Sequence, residues 1–298
     1  MPSLRARFVN WILPLRGTKA RMSSEERMAR HYAGNASVAV PPPRRLRREF
    51  RVEETKVSGR TVYRVTPRNG GSGAHILYLH GGTYVNEVLG AHWKLIAGLV
   101  RRTGASVTVP LYPLAPKHKW SDAFEMLRPL CRDLIERRGA AHVALMGDCA
   151  GAGLSLALAR AMRDAGEPLP ARLVLLSPWL DLRVDHPEQD VLATRDRMLA
   201  APGLRWAGQC WAAGLPMNDP RVSPLHGALK GLPPIAVFTG TADLLNSDAR
   251  RLLRKAQSLR FPLLFREYEG LFHLWMAAPV PEAGQALDEV AAFLRGLR

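Results

Sequence analysis

The sequence predicts an α/β protein in which a mostly parallel central sheet is covered by helices on both faces. From residue 76 onward, short apolar runs alternate with stretches of helical periodicity, a pattern typical of a parallel sheet. Candidate catalytic residues follow the ends of several of these runs, where open α/β sheets assemble their sites. The chain has 298 residues, 47% of them hydrophobic, so it is long enough for one large domain with a buried core.

Two short helices are predicted before residue 40. An apolar stripe at helical spacing is formed by Leu4, Phe8, Trp11 and Ile12. Residues 23–26 read Ser-Ser-Glu-Glu, a capping box that predicts a second helix extending through Tyr32. Three prolines at 41–43 end helical order, and we place a boundary near Val40.

From residue 50 the pattern changes to strands and then to alternating strands and helices. Ser58-Gly59 lies between two runs of strand type and predicts a hairpin. Strands are predicted at 50–57, 61–65, 76–79, 106–111, 142–146, 172–176, 234–239 and 263–268. Helices are predicted at 91–102, at 121–138 with a bend at Pro129, and at 150–165, 247–259 and 282–297.

Residues 181 to about 217 break this alternation with an inserted helical stretch rich in aromatic residues. Together with residues 1–40, this insertion is expected to form a helical cap over the site. The catalytic domain would then comprise residues 41–180 and 218–298. Four aromatic residues are candidates for the substrate pocket, with core packing as the alternative: Tyr84, Trp206, Trp211 and Trp275.

The chain is basic, with 42 Lys and Arg against 26 Asp and Glu and a net charge of +16. Residues 1–60 hold 14 basic and 5 acidic residues, a net of +9. No recognition helix or aromatic platform accompanies this charge, so we expect no nucleic-acid partner. The stripe, with Arg5 and Arg7 opposite it, could touch anionic lipid. We favour a lid helix docked on the pocket, because the stripe is short for a membrane anchor.

The cysteines and the apolar runs indicate the cellular compartment in which the protein works. Cys131, Cys149 and Cys210 have neither paired nor metal-ligand spacing, which argues against a disulfide framework and a metal site. No apolar run approaches the ~20 residues that span a bilayer, and none has the form of a secretory signal. These features predict a cytoplasmic protein without stable membrane insertion. Pairing through the last strand, for which an exposed edge is a motive, or through the closing helix could give a homodimer.

The most informative segment is a Gly-x-x-x-Gly turn between a predicted strand and a predicted helix, with the sequence Gly147-Asp148-Cys149-Ala150-Gly151. This is the pattern of a nucleophile elbow, in which small residues let strand and helix approach while the central residue is strained. The central residue is a cysteine where the motif normally has serine. An inert buried cysteine is the alternative.

A second loop could stabilise negative charge. His80-Gly81-Gly82 follows the strand at 76–79, and backbone N–H groups of Gly81 and Gly82, with that of Ala150, could form an oxyanion hole. The alternative is a tight turn. We expect His80 to hold the loop by hydrogen bonds.

A base and its orienting acid are also present in the expected chain order. Asp243 follows the strand at 234–239, and His273 follows the last strand. Asp243 could instead cap the next helix, although Asp248 is better placed to do so, and His273 could be a surface loop residue. Asp148 is expected to bond neighbouring loops rather than act as an acid.

Further segments extend the pattern: 112–118 (Tyr-Pro-Leu-Ala-Pro-Lys-His) and 177–182 (Ser-Pro-Trp-Leu-Asp-Leu). With the elbow, the glycine loop and the two triad loops, the chain resembles the hormone-sensitive-lipase-like family of α/β-hydrolase carboxylesterases. The resemblance implies an α/β-hydrolase fold with a helical cap, small-molecule esters of short to medium acyl chains as substrates, and no cofactor. It places Cys149 at the nucleophile, His273 at the base and Asp243 at the orienting acid. Gly81, Gly82 and Ala150 correspond to the oxyanion donors.

Cysteine at position 149 leaves several functions open. A thiol could be deprotonated by His273 and form a thioester, giving ester hydrolysis through a covalent acyl-enzyme. The thioester could instead pass its acyl group to an alcohol or amine, which would make the protein an acyltransferase. A serine replaced by cysteine would leave a weakened enzyme. A non-catalytic binder of a small ligand is a further alternative, although a binder does not need the aligned Asp243 and His273.

Overall fold

In a computed structural model, which describes residues 1–34 and 37–297, eight strands of the described chain form one sheet. The strands are β1 (Phe50–Val57), β2 (Arg60–Pro67), β3 (His75–Leu79), β4 (Ser106–Pro110), β5 (Val143–Asp148), β6 (Arg172–Leu176), β7 (Ile235–Ala242) and β8 (Leu263–Phe272). Their order across the sheet is β1-β2-β4-β3-β5-β6-β7-β8. The β1/β2 and β2/β4 pairs are antiparallel and the other pairs are parallel. The predicted mostly parallel α/β class is confirmed.

The α-helices of the described residues cover both faces of the sheet. They are α1 (Leu4–Ile12), α2 (Thr18–Arg21), α3 (Glu25–Gly34), α4 (Arg44–Glu49), α5 (Gly90–Thr103), α6 (Trp120–Arg138), α7 (Cys149–Asp164), α8 (Glu188–Arg195), α9 (Ala201–Ala212), α10 (Asn246–Ser258) and α11 (Pro281–Leu294). The bounds differ from the predicted ones by a few residues, the largest difference being the end of β8 at Phe272 rather than residue 268. None of these helices is long and apolar enough to cross a lipid bilayer.

Alternation along the central strands creates two apolar layers, because neighbouring side chains of a strand face opposite sides of the sheet. Ile76 and Tyr78 belong to the layer that includes residues of α5 and α11. Leu77 and Leu79 belong to the layer that includes residues of α6, α7 and α10. Strands buried on both faces explain why these runs are apolar throughout rather than alternating.

The segment before residue 34 packs against the insertion that follows β6. Helices α3 and α9 are in contact, and the Tyr32 and Trp206 rings stack with centroids 5.5 Å apart. The backbone N–H of Gly203 donates to the carbonyl of Met22 at 2.8 Å. The ammonium group of Lys19 donates to the carbonyl of Ala193 at 2.6 Å. These contacts join two regions that are far apart in the sequence.

The apolar stripe of α1 does not dock on the pocket, so this expectation was wrong. Leu4, Phe8 and Trp11 point to solvent, and Ala6 is the residue of α1 that is buried. The reason lies in the inner side of the helix, which is fixed by hydrogen bonds between Ser3 and Glu282 of α11. The helix borders the cavity through Val9 instead of through the stripe.

Candidate active site

Cys149 lies at the sharp turn from β5 into α7, with a positive φ of 49°. A non-glycine residue in this region is strained, as expected at the apex of a nucleophile elbow. The turn is possible because Gly151 has no side chain: a Cβ there would lie 2.0 Å from the carbonyl oxygen of Leu79. Strand β3 and helix α7 therefore approach closely, and Cys149 faces the cavity described below.

His273 connects Cys149 with Asp243. Its Nδ1 lies 2.9 Å from Oδ2 of Asp243, and its ring also interacts with the side chain of Cys149. Both partners follow strands at the carboxyl edge of the sheet, Asp243 after β7 and His273 after β8. Burial alone lowers the pKa of His273, but its interactions with Asp243 and Cys149 outweigh burial and hold this pKa well above its ordinary value. We call Cys149, His273 and Asp243 the triad.

Hydrogen bonds from neighbouring loops fix the triad. The Ser177 hydroxyl, at the end of β6, accepts the backbone N–H of Leu274 at 3.1 Å and so holds the residue after His273. Oδ1 of Asp243 accepts the N–H of Leu245 at 2.9 Å. The predicted capping role of Asp248 was wrong, because Oδ2 of Asp248 instead accepts the N–H groups of Leu180 and Asp181. Helix α10 begins at Asn246, two residues before Asp248, so Asp248 lies within the first turn of the helix.

Asp196 is a buried carboxylate next to the triad that the sequence did not indicate. It belongs to the insertion, and its Oδ1 accepts the N–H groups of Met198 and Leu199 at 2.6 and 2.8 Å. Its Oδ2 accepts the N–H of Leu244 at 2.7 Å. Burial, followed by the negative charge of Asp243, raises the pKa of Asp196. No motif or periodicity in the insertion distinguishes this aspartate from its neighbours.

The glycine loop offers other N–H groups to an oxyanion than the sequence predicts. The N–H of Gly81 donates to Oδ1 of Asp148 at 3.0 Å, so Gly81 does not provide an oxyanion donor. Gly82 and Thr83 line the cavity with positive φ values of 125° and 55°. In the described part of the chain, neither of their N–H groups has a hydrogen-bond acceptor. The N–H of Ala150 lies in the first turn of α7, where an N–H has no partner within its own helix.

His80 and Asp148 hold the loops around the site, as expected. Nδ1 of His80 lies 2.8 Å from the carbonyl of Gly81, and the hydroxyl of Tyr112 donates to the carbonyl of His80 at 2.6 Å. Burial lowers the pKa of His80 to about 4, so this ring is neutral at pH 7. Asp148 also accepts the hydroxyl of Tyr78. Burial opposes its charge, but His92, Tyr78 and the N–H of Gly81 together lower the pKa of Asp148.

A cavity of about 1030 Å³ opens over the triad. Cys149 and His273 line it together with apolar side chains from both sequence regions of the predicted cap: Val9, Leu13, Met22, Met28, Met198 and Leu199. Basic side chains also reach it: Arg16, Arg21, Arg45, Lys94 and Arg101. Within the described residues, no group of three or more His, Cys, Asp or Glu side chains is placed to hold a metal ion.

None of the four aromatic pocket candidates lines this cavity. Tyr84 stacks on Trp211 with ring centroids 4.2 Å apart. Trp206 stacks on Tyr32, and Trp275 packs edge-on against Tyr268 at 4.7 Å. Tyr84, Trp211 and Trp275 are buried in the core, and Trp206 is partly buried against Tyr32, so packing against other rings takes the place of the predicted pocket position.

Comparison with known proteins agrees with this geometry. A family model described as alpha/beta hydrolase fold matches residues 76–277. The structure of an esterase from the bacterial hormone-sensitive lipase family superimposes with a TM-score of 0.86 at 27% identity, covering 100% of both chains. The chain belongs to the hormone-sensitive-lipase-like family of α/β-hydrolase esterases. This family membership makes it a carboxylesterase-type enzyme that acts on carboxylic esters.

Two curated relatives of this esterase extend the likeness. An acetyl-hydrolase of Streptomyces hygroscopicus is 37% identical over 226 residues, which cover 75% of this chain and 76% of the relative. An esterase of Acinetobacter venetianus is 31% identical over 230 residues, covering 74% and 75% of the two chains. A solved structure of the esterase EstE5, soaked with p-nitrophenyl butyrate, has a TM-score of 0.84 at 27% identity and covers 99% of each chain.

Proposed function

We propose that this esterase hydrolyses short- to medium-chain acyl esters through a covalent acyl-enzyme on Cys149. The observation that supports this proposal is the position of the His273 ring, which bonds Asp243 through Nδ1, interacts with Cys149 and lines the cavity together with Cys149. A base held between a nucleophile and an orienting carboxylate is the arrangement that activates a side chain for acyl transfer. A pure ligand binder has no use for this alignment.

In the first step, His273 takes the thiol proton and Sγ of Cys149 attacks the ester carbonyl carbon. The carbonyl electrons move onto its oxygen, and the N–H groups of Gly82, Thr83 and Ala150 are the donors we assign to this oxyanion. The intermediate then re-forms the carbonyl and expels the alcohol oxygen, which takes the proton from His273. The product of this step is a thioester on Cys149 and a free alcohol.

In the second step, His273 takes a proton from water, and the resulting hydroxide attacks the thioester carbonyl. The carbon–sulfur bond breaks, the acid leaves, and Sγ recovers its proton from His273. Asp243 keeps the imidazole oriented through its hydrogen bond to Nδ1 and stabilises the positive charge that His273 carries between proton transfers.

Acyl esters as substrates are supported by the apolar lining of the cavity, and short to medium chains by the name of one relative. We assign the cap to residues 1–40 and about 181–217, since both regions contribute apolar side chains above Cys149, among them Met22 and Met198. Methionine adapts its shape to different apolar groups. A volume of about 1030 Å³ lies at the upper end of the range for small-molecule sites. One relative is an acetyl-hydrolase, a name that fits this substrate class.

The decisive experiment is to locate the acyl group. The protein is mixed briefly with p-nitrophenyl acetate, quenched in acid and digested, and peptide masses are measured. We expect one acetyl group on the peptide containing Cys149, together with a burst of nitrophenol. Cys149→Ala should lose both signals, and Cys210→Ala, which removes a half-buried cysteine outside the cavity, should keep them.

Turnover by Cys149→Ala at the wild-type rate, or an acetyl group on another residue, would refute the mechanism. The acceptor is tested in parallel by adding an alcohol or an amine to the reaction. Release of acetate as the main product supports hydrolysis. Formation of a new ester or amide in its place would assign the enzyme to acyl transfer.

A further inference from the structure

The outer face of α1 is an exposed apolar stripe. The solvent-exposed fractions are 80% for Leu4, 59% for Phe8 and 72% for Trp11, and Leu15 beyond the helix is 85% exposed. Their spacing of four, three and four residues places them along one side of the segment. Large apolar side chains that share one exposed face, rather than lying scattered, mark an interaction surface. We call Leu4, Phe8, Trp11 and Leu15 the α1 stripe; it differs from the predicted stripe in that the partly buried Ile12 is replaced by Leu15.

The helix presents this stripe in a fixed orientation. On its inner side Ala6 is buried, and the Ser3 hydroxyl caps the helix by accepting the N–H of Ala6 at 3.1 Å. Both Ser3 N–H and Ser3 Oγ donate to the carboxylate of Glu282 in α11, at 2.6 and 3.0 Å. The outward position of the stripe therefore follows from contacts on the opposite side of the same helix.

The charges around the stripe indicate what covers it. Arg5 and Arg7 are both exposed, and in a helical projection they lie on the two flanks of the stripe rather than opposite it as expected. Residues 1–24 contain five basic side chains and no acidic one. Two copies packed stripe to stripe would bring their arginines together, a like-charge contact that opposes association. Anionic headgroups would instead pair with the arginines while the acyl region takes up the apolar side chains.

We propose that α1 docks in the plane of an anionic phospholipid bilayer, with the α1 stripe in the headgroup–acyl boundary and Arg5 and Arg7 on lipid phosphates. Trp11 is suited to this position because indole favours the membrane–water interface. On the inner side of the same segment, Val9 and Leu13 line the cavity that contains Cys149. Docking would therefore hold the cavity beside the lipid surface. The proposal does not depend on the chemistry assigned to Cys149.

The test is co-sedimentation of the full chain with vesicles of phosphatidylcholine containing roughly one third phosphatidylglycerol, compared with vesicles of pure phosphatidylcholine. We expect binding to the anionic vesicles that weakens as salt is added. Arg5→Gln/Arg7→Gln should lower the partition coefficient about 30-fold, which corresponds to about 1 kcal/mol for each arginine near the surface. Phe8→Ser/Trp11→Ser should reduce binding at least as strongly, and should remove the blue shift that vesicles cause in the tryptophan emission.

Leu259→Ser and Arg260→Gln are matched controls. Leu259 is similarly exposed, at 56%, and both residues lie just before the start of β8. Helix α1 lies at the other end of that strand, where Pro2 is next to Gly270. They should bind like the wild type. Phe8→Ser/Trp11→Ser should also hydrolyse soluble p-nitrophenyl acetate at the wild-type rate, since neither side chain lines the cavity.

Three results would overturn the proposal: no binding of the wild type to anionic vesicles, equal binding of the stripe variant, or equal binding to pure phosphatidylcholine. Sedimentation velocity adds one more. If the wild type is a dimer that Phe8→Ser/Trp11→Ser dissociates, a second copy of the chain covers the stripe instead of lipid.

Discussion

Oδ2 of Asp196 accepts the backbone N–H of Leu244 at 2.7 Å, so a carboxylate of the insertion holds the residue that follows Asp243. The other oxygen of the same carboxylate accepts the N–H groups of Met198 and Leu199, which line the cavity. One buried side chain thus fixes both the wall of the cavity and the loop that orients His273. Because it acts through Asp243 and contacts no reacting atom, Asp196 is a positioning residue.

Replacing Asp196 by Asn should lower kcat/KM on the order of 10- to 100-fold, because one acceptor oxygen is lost and the Asp243 loop shifts. The alkaline limb of the pH profile should also move to lower pH. His273 favours the charged form of Asp196, and this attraction is mutual, so removing the negative charge lowers the pKa of His273. Asp190→Asn, an exposed aspartate in α8, is the control. Reduced activity with an unshifted limb would mean that Asp196 only supports the fold.

Cys149→Ser should move the acid limb of kcat/KM to higher pH. In the proposed thiol enzyme the thiol proton passes to His273 before Sγ attacks, and the raised pKa of His273 favours the protonated ring at neutral pH. A serine hydroxyl keeps its proton, so His273 must first be neutral, and the rate then rises only through the pKa of His273. Rates with a soluble ester across pH measure the limb. Identical acid limbs in the two enzymes would contradict a thiolate nucleophile.

Gly82→Ala should reduce kcat/KM on the order of 100- to 1000-fold, the usual effect of losing one oxyanion donor. A Cβ at Gly82 would meet the carbonyl oxygen of Asn86 at 2.6 Å, and the φ of 125° is unfavourable for alanine, so the loop must move. Gly70→Ala is the matched control, since Gly70 also has a positive φ but no atom within 4 Å of a new Cβ. Steady-state kinetics measure kcat/KM of both variants. A similar loss of kcat/KM in Gly70→Ala would assign the effect to backbone strain alone.

Two helical glycines should respond to alanine in opposite directions. Gly151→Ala should lower the free energy of unfolding by at least about 2 kcal/mol, since the new Cβ would press on the backbone oxygen of Leu79. Gly284→Ala in α11 should raise it by about 0.5–1 kcal/mol, because the closest atom is the end of the Arg102 side chain at 3.4 Å. Urea unfolding curves measure both. A stable Gly151→Ala variant would show that strand β3 and helix α7 can separate.

The parts of the molecule that obey local rules were predictable. Apolar runs and helical periods gave the element order, and the position of Asp243 and His273 after successive strands predicted their meeting at one edge of the sheet. The glycine loop was predictable only as a loop. Which N–H faces the cavity depends on Asp148, a side chain 67 residues away that takes the N–H of Gly81.

Contacts between distant segments were beyond sequence reasoning. Asp196 belongs to an insertion with no repeat or motif, so nothing local fixes its distance from Leu244. The aromatic residues were assigned to the pocket by composition, although ring-to-ring packing such as that of Tyr84 on Trp211 depends on the tertiary fold. The orientation of α1 differs from the prediction for a related reason: amphipathicity predicts that one face is buried, but the hydrogen bonds between Ser3 and Glu282 hold the opposite face inward.

The double use of Asp196 has a consequence for how this enzyme could diversify. If the insertion were exchanged for that of a relative to alter substrate preference, the carboxylate of Asp196 that holds the Asp243 loop would be exchanged as well. Chimeras should therefore work only when the transplanted segment brings an acceptor to the same place. A transplanted segment that matches the insertion in length and hydrophobicity but lacks this carboxylate should therefore leave the Asp243 loop without its partner.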